Sequence, residues 1–275
     1  MLRRGCGCKR EVNPTDFEKN PQPTKKAASD PAGLREVKPP EKGYIADLHY
    51  LLRRPLKGEG SQPSVDKKPL LLFLHGSGER GHLDGTELHK VQKHGPWDCH
   101  GADGFFILAP QCPNRRVWPS LLTQVRMLLM YICDRYDVDK SRVYVTGLSM
   151  GATGAWTLAA TQPQMFAAIV SVCGGIIGGA MDVETSRTEM LRLANQQDFQ
   201  SCSKALEPCK NMPAWVFDGD QDKIVLPICS THILKTLTPD NLHVRVTAYR
   251  NVGHAIWAKA YNTLDLYTWL LEHSL

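Results

Sequence analysis

The chain has 275 residues, 42% of them apolar, and a formal net charge of +5. This length and composition allow one large domain with a sizeable core. No apolar run reaches the roughly 18 residues that a membrane-spanning helix needs, and the N-terminus lacks the apolar core of a secretory signal, so we expect a soluble cytoplasmic protein.

The nine cysteines are odd in number and irregularly spaced, which favours reduced thiols over a disulfide framework. Cys6 and Cys8 lie close together, as do Cys202 and Cys209, but neither pair has a clear second pair nearby. A zinc site normally needs four such ligands, so we predict no metal site.

Residues 1–42 carry most of the excess positive charge. They contain ten Lys and Arg against six Asp and Glu, together with six prolines and little apolar periodicity. Such a segment is typical of a flexible extension. Cys6 and Cys8 lie among basic residues, which is also compatible with S-acylation and weak membrane association, although we favour a plain disordered terminus. Basic doublets elsewhere are scattered without aromatic residues between them, so nucleic-acid binding is not predicted.

From residue 43 the chain alternates between apolar runs and helical patterns. The run Pro69–Leu74 is continuous, as expected of a strand covered on both faces. Apolar spacing predicts a helix over Leu121–Tyr136. Residues Cys173–Met212 do not follow this alternation of apolar runs and helical patterns, and they are predicted to be an insertion near the site. The other predicted strands are Tyr44–Leu52, Gly104–Ala109, Val143–Thr146, Phe166–Val172, Pro213–Phe217 and His243–Tyr249, and the other helices are Ala152–Thr161, Leu226–Leu237 and Ile256–Leu271.

Strands that alternate with helices predict an α/β domain over residues 43–275, with a mainly parallel central sheet and helices on both faces. Gly147-Leu148-Ser149-Met150-Gly151 follows one strand and opens a helix. A serine with glycine two positions away on each side, in a strand–turn–helix context, is what a nucleophile elbow requires. Ser149 is therefore the candidate nucleophile.

The carboxyl ends of parallel strands gather at one edge of a sheet. Asp218, Asp220 and Asp222 follow one predicted strand, and His254 follows another. Imidazole titrates near neutral pH and can take the serine proton, while a carboxylate fixes its tautomer. We choose Asp222 as the acid because Asp218 and Asp220 flank Gly219 in a turn-like sequence, and keep Asp218 as the alternative.

An oxyanion needs N–H donors placed in advance. The amide of Met150, at the start of a helix, is one candidate, and the amide of Ser77, in the Gly76-Ser77-Gly78 turn, is the other. His75 closes a buried strand, and we expect it to orient that turn by hydrogen bonding rather than to act as a base.

Several motifs together resemble the predicted peptidase and phospholipase/carboxylesterase branch of the α/β-hydrolase superfamily, with feruloyl esterases as neighbours. They are LLLFLHGSGERG, His94-Gly95-Pro96, APQCP, VYVTGLSMGATGAW, FAAIVSVCGG and Gly253-His254. The resemblance implies Ser149, Asp222 and His254 as the triad. This chain departs from the family pattern at Asp218, where such enzymes often have histidine, although Gly219 and Asp222 keep the usual spacing.

These features predict a serine hydrolase that cleaves a small-molecule carboxyl ester through an acyl-enzyme, without a metal or organic cofactor. A thioesterase or a small peptidase with the same triad is the nearest alternative. A non-catalytic ligand-binding protein on the same fold is the other alternative, because fold alone does not determine function. The sequence leaves the oligomeric state open.

Overall fold

The computed structural model describes residues 39–56, 66–175, 204–237 and 243–275. Its strands, numbered in chain order, are β1 Glu41–Ile45, β2 Leu48–Arg53, β3 Lys68–Leu74, β4 Phe106–Pro110, β5 Val138–Leu148, β6 Ala168–Val172, β7 Ala214–Gly219 and β8 Val244–Tyr249. Its α-helices are α1 Leu122–Arg135, α2 Met150–Thr161, α3 Ile228–Leu237, α4 Trp257–Tyr261 and α5 Leu266–Leu271.

The strands form one sheet in the order β1-β2-β4-β3-β5-β6-β7-β8. β2 is antiparallel to β1 and β4, and the remaining neighbours are parallel. Leu148 pairs with Val172, and Val172 pairs with Phe217. The carboxyl ends of β5, β6 and β7 therefore lie side by side, and the residues that follow them converge at one edge.

Both faces of the sheet are covered. In β3, Leu70, Leu72 and Leu74 pack into a cluster that includes α1 and α2, whereas Leu71 and Phe73 pack into a cluster that includes α4 and α5. This alternation follows from the two-residue period of a strand. The predicted α/β fold, with a mainly parallel sheet between helices, is confirmed.

The prediction of one strand over Tyr44–Leu52 was wrong. The segment forms the hairpin of β1 and β2, and its turn residues Ala46 and Asp47 have φ of 51° and 60°. Two successive positive φ values are typical of a tight type I′ turn, which normally uses Asn or Gly. β1 also begins at Glu41, two residues before the predicted start of the domain.

The predicted final helix Ile256–Leu271 is interrupted after Tyr261. Asn262 Nδ2 donates to the carbonyl of Ala258 at 2.8 Å, and Thr263 Oγ1 donates to the carbonyl of Lys259 at 3.2 Å. Side chains that bond to carbonyls four residues back compete with helix continuation. Helix α5 then starts again at Leu266.

Some predictions lie outside the described residues. These are the extension up to residue 38 with Cys6 and Cys8, residues 57–65 of the loop after β2, and residues 176–203 of the predicted insertion with Cys202. The division of the chain into an extension and one domain stays a prediction. Among the described residues, no helix is both long and apolar enough to span a bilayer.

Candidate active site

Ser149 lies at the junction of β5 and α2 with φ 53° and ψ −119°. A non-glycine residue at such angles is strained, and this kind of strain concentrates at functional sites. The junction is tight: a β-carbon on Gly151 would lie 1.8 Å from the carbonyl oxygen of Leu74, and one on Gly147 would lie 2.2 Å from that of Gly151. Gly151 is required because α2 starts in contact with the end of β3, and Gly147 is required because the first turn of α2 lies against the end of β5.

The turn after β3 runs beside this elbow. A β-carbon on Gly76 would lie 2.7 Å from Leu148 Cδ1, immediately before the serine. Ser77 begins a short 3-10 helix and Met150 begins α2. The first amide of a helix has no acceptor within that helix, so both N–H groups are of the kind that can serve an external oxygen.

His75 lies under the turn with both ring nitrogens bonded to the backbone. Its Nδ1–H donates to the carbonyl of Gly76 at 2.7 Å, and its Nε2 accepts from the amide of Cys112 at 2.9 Å. Complete burial lowers the pKa of His75 to about 4, so the ring is neutral at pH 7. The Trp118 indole donates to the His75 carbonyl at 2.9 Å. His75 thus fixes the turn that carries Ser77.

His254, in the loop between β8 and α4, joins the other two predicted triad members. Its Nε2 lies 2.9 Å from Ser149 Oγ, and its Nδ1 lies 2.7 Å from Asp222 Oδ2. The side chain of Asp222 is only 3% exposed and that of His254 is 13% exposed. The three groups therefore form one continuous hydrogen-bonded chain that is largely shielded from solvent.

Asp222 is fixed by its own loop. Its second oxygen, Oδ1, accepts hydrogen bonds from the amides of Ile224 at 2.8 Å and Val225 at 3.0 Å. A β-carbon on Gly219 would lie 2.4 Å from the carbonyl oxygens of Val252 and Gly253, so the loops that carry the acid and the histidine touch. The two amides hold Oδ1, so Oδ2 is directed at the imidazole of His254.

Asp218 has a different partner. Its Oδ1 lies 2.8 Å from Ser230 Oγ on α3, and the same hydroxyl lies 3.1 Å from the carbonyl of Gly174. The structure thus brings Asp222 to His254 and Asp218 to Ser230. Burial raises the pKa of Asp218 to about 7, the Ser230 bond opposes this shift, and repulsion from Asp222 adds to it.

The raised pKa of Asp218 predicts a change in stability with pH. Between about pH 4 and 7 the folded protein holds a proton on Asp218 that the unfolded chain has released, so this group makes stability fall as the pH rises. Three pKa units correspond to about 4 kcal/mol, which residual solvent contact reduces to about 2 kcal/mol. Denaturant unfolding should show Asp218→Asn gaining about that much relative to the wild type between pH 4 and pH 8. Identical pH dependence in the two proteins would contradict the assignment.

One residue next to the elbow was not predicted from the sequence. Cys173, directly after β6, has φ of 42° and donates its amide N–H to the carbonyl of Phe217 at 2.8 Å. The amide of Ser149 in turn donates to the carbonyl of Val172 at 2.9 Å. Burial raises the pKa of the Cys173 thiol well above its usual range, so its side chain serves only to pack against its neighbours. Backbone strain at a cysteine has no signal in the sequence.

The chain is similar in sequence or in structure to several known proteins. Acetylxylan esterase A of Emericella nidulans is 33% identical over 84 residues, which are 26% of this chain and 28% of that protein. A thermostable esterase of known structure is 29% identical to this chain, with a TM-score of 0.62. The match covers 83% of this chain and 60% of the esterase chain. A puromycin-hydrolysing peptidase of Mycobacterium tuberculosis is 14% identical with a TM-score of 0.60, covering 85% of this chain and 39% of its own, a likeness of fold alone.

The chain therefore spans less than two thirds of each of these three proteins. The model of the prolyl oligopeptidase family matches residues 123–274, more than half of the 275 residues. That segment runs from α1 to α5 and includes Ser149, Asp222 and His254. With the sheet order and the esterase and peptidase folds among its structural neighbours, the match confirms the predicted superfamily. The chain belongs to the prolyl oligopeptidase family of α/β-hydrolases.

Proposed function

We propose that the chain is a serine hydrolase that cleaves carboxyl esters through an acyl-enzyme on Ser149. The observation that carries the proposal is the chain of two hydrogen bonds from Ser149 Oγ through His254 to Asp222. A serine hydroxyl becomes an effective nucleophile only when a base in hydrogen-bond reach takes its proton. The strained elbow supports the same role because it presents Ser149 at the edge where the strands end.

In the first half of the reaction, His254 Nε2 takes the Ser149 proton while Oγ bonds to the ester carbonyl carbon. The carbonyl π electrons move to its oxygen, which accepts hydrogen bonds from the amides of Met150 and Ser77. When this intermediate collapses, the bond to the alcohol oxygen breaks and His254 donates the proton to that oxygen. The acyl group remains on Ser149.

In the second half, a water molecule gives a proton to His254, and the water oxygen attacks the acyl carbon. Collapse breaks the bond to Ser149 Oγ, which recovers the proton from His254 and releases the carboxylic acid. Throughout, Asp222 accepts the Nδ1–H, holds the correct tautomer and stabilises the imidazolium. The net reaction converts an ester and water into an acid and an alcohol.

Two similar proteins favour an ester as the substrate. The thermostable esterase and the acetylxylan esterase are the relatives with the higher sequence identity. The description of the matched family favours amide cleavage as the second candidate, with the same residues in the same roles. A thioester would react through the same steps. The hydrogen bonds that join Ser149, His254 and Asp222 favour catalysis over a purely ligand-binding role.

Turnover of matched substrates tests the proposal. We expect purified protein to hydrolyse a short-chain ester of a chromogenic phenol with a higher kcat/KM than the matched thioester or anilide. Ser149→Ala should remove the activity on all three. Preferential cleavage of the anilide would favour the peptidase role. Ester turnover that persists in Ser149→Ala, or none in the wild type, would contradict the proposed function.

A further inference from the structure

Two sequence motifs that the triad does not use meet beside it. Glu79 belongs to the segment after β3 that begins at His75, and His94 opens the sequence His94-Gly95-Pro96. His94 Nε2 lies 3.8 Å from Glu79 Oε1 although the residues are fifteen positions apart. Gly95 has φ of 113°, and a β-carbon there would lie 2.6 Å from Phe73, so the His94 loop is seated firmly against β3.

These side chains form a continuous wall from the catalytic histidine to the oxyanion turn. The Trp257 ring centroid lies 6.0 Å from that of His254 and 4.6 Å from that of His94. At the other end, Glu79 Oε2 lies 3.1 Å from the position that a β-carbon on Gly76 would take. We refer to Glu79, His94 and Trp257 as the cleft wall. The cleft wall therefore runs from His254 to the turn that carries Ser77.

Burial and charge divide the roles within the cleft wall. The Glu79 side chain is 5% exposed, so it lies behind His94, whose side chain is 22% exposed. Partial burial lowers the pKa of His94 below its usual value, against the pull of Glu79 and with the help of Lys93. This lowered pKa favours the neutral form of the imidazole at pH 7.

A neutral imidazole carries one N–H and one lone pair. The carboxylate favours the N–H on Nε2, the atom nearest Glu79, and this leaves the Nδ1 lone pair as an acceptor. The negative charge of Glu79 and the aromatic face of Trp257 also attract hydrogen-bond donors and cations. Every element of the cleft wall thus suits a donor and opposes an anion.

We propose that the cleft wall selects esters that carry a hydrogen-bond donor, either a hydroxyl or a protonated amine, near the scissile carbonyl. His94 accepts the hydrogen bond, Glu79 is the positioning residue that holds the His94 tautomer, and Trp257 supplies the adjoining surface. This inference rests on the proposed ester hydrolysis.

A matched substrate series isolates the donor. Four esters X–CH₂–CH₂–C(=O)–O–aryl with one chromogenic phenol carry X as methyl, hydroxyl, ammonium or carboxylate, and a second series carries the same groups on the alcohol of butanoyl esters. The measured quantity is the kcat/KM ratio of each ester to its methyl analogue, corrected for the uncatalysed rates. This ratio is insensitive to damage that lowers all turnover equally.

In at least one series we expect the wild type to prefer hydroxyl over methyl by about tenfold and ammonium by more, with carboxylate the poorest, since one hydrogen bond contributes about a factor of ten. His94→Phe keeps a ring against Trp257 and should bring the hydroxyl ratio close to one, chiefly through KM. Glu79→Gln should reduce the ammonium ratio more than the hydroxyl ratio. His89→Phe and Glu87→Gln, exposed or half-buried positions of the same segment, should leave every ratio unchanged.

Equal ratios in the wild type and His94→Phe, or no donor preference in either series, would overturn the inference while turnover of the methyl esters left the proposed function intact. Loss of turnover with all esters in the wild type would overturn both.

Discussion

Replacing Asp222 by asparagine is expected to lower kcat on an ester substrate by about four orders of magnitude. The amide would no longer accept the Nδ1–H of His254 as a carboxylate does, so the ring would lose its tautomer and its partner charge. The variant should fold because asparagine keeps an oxygen for the amides of Ile224 and Val225. Steady-state kinetics with a chromogenic ester measures the effect.

Asp218→Asn is the matched control, since it makes the same chemical change four residues earlier. Asp218 bonds to Ser230 rather than to His254, so we expect its kcat to stay within about tenfold of the wild type. If Asp218→Asn lost several orders of magnitude and Asp222→Asn lost little, the acid would be assigned wrongly.

Replacing Gly151 by alanine is expected to cost at least about 3 kcal/mol of stability. The added methyl group would meet backbone atoms, the carbonyl of Leu74 at 1.8 Å and that of His75 at 2.7 Å, which cannot rotate away as a side chain can. Either α2 moves off the end of β3 or the domain unfolds. Chemical denaturation followed by circular dichroism measures the free energy of unfolding.

Gly104→Ala serves as the control for this change. A β-carbon on Gly104 would have no heavy atom within 4 Å among the described residues, so we expect a change within about 0.5 kcal/mol. Equal destabilisation by the two substitutions would show that the contact between α2 and β3 is not what requires glycine in the elbow.

The central strands could be predicted because burial on both faces demands apolar residues at every position. The continuous leucine-rich run of β3 is an example, and all five residues of β4 are buried. The edge of the sheet was harder to predict. Ala46 and Asp47 adopt positive φ without glycine, so the turn between β1 and β2 has no local signal, and tertiary context decides it.

The site was predictable to the extent that linear order reflects strand ends. Ser149 and His254 each follow a strand and are the residue types that the chemistry needs. The acid was left open between Asp218 and Asp222 because both come at the end of β7. Their contacts differ in the folded protein: Asp222 accepts from the amides of Ile224 and Val225, whereas Asp218 bonds to the hydroxyl of Ser230. The spacing of residues in the sequence does not predict these contacts.

The cleft wall could not be predicted from the sequence for a related reason. His94, Glu79 and Trp257 come from three separate loops, and their meeting depends on how the segments before β4 and after β8 fold over the sheet. The sequence marked two of these segments as motifs without indicating that they touch.

Covalent labelling with a fluorophosphonate tests the central claim most directly. Such a probe phosphonylates a serine only where a base and oxyanion donors activate it. Mass spectrometry of the digested wild type should find the adduct on Ser149, and labelling should vanish in Ser149→Ala and fall sharply in His254→Ala. An unlabelled wild type, or an adduct that persists in Ser149→Ala, would contradict the assignment of Ser149 as the nucleophile.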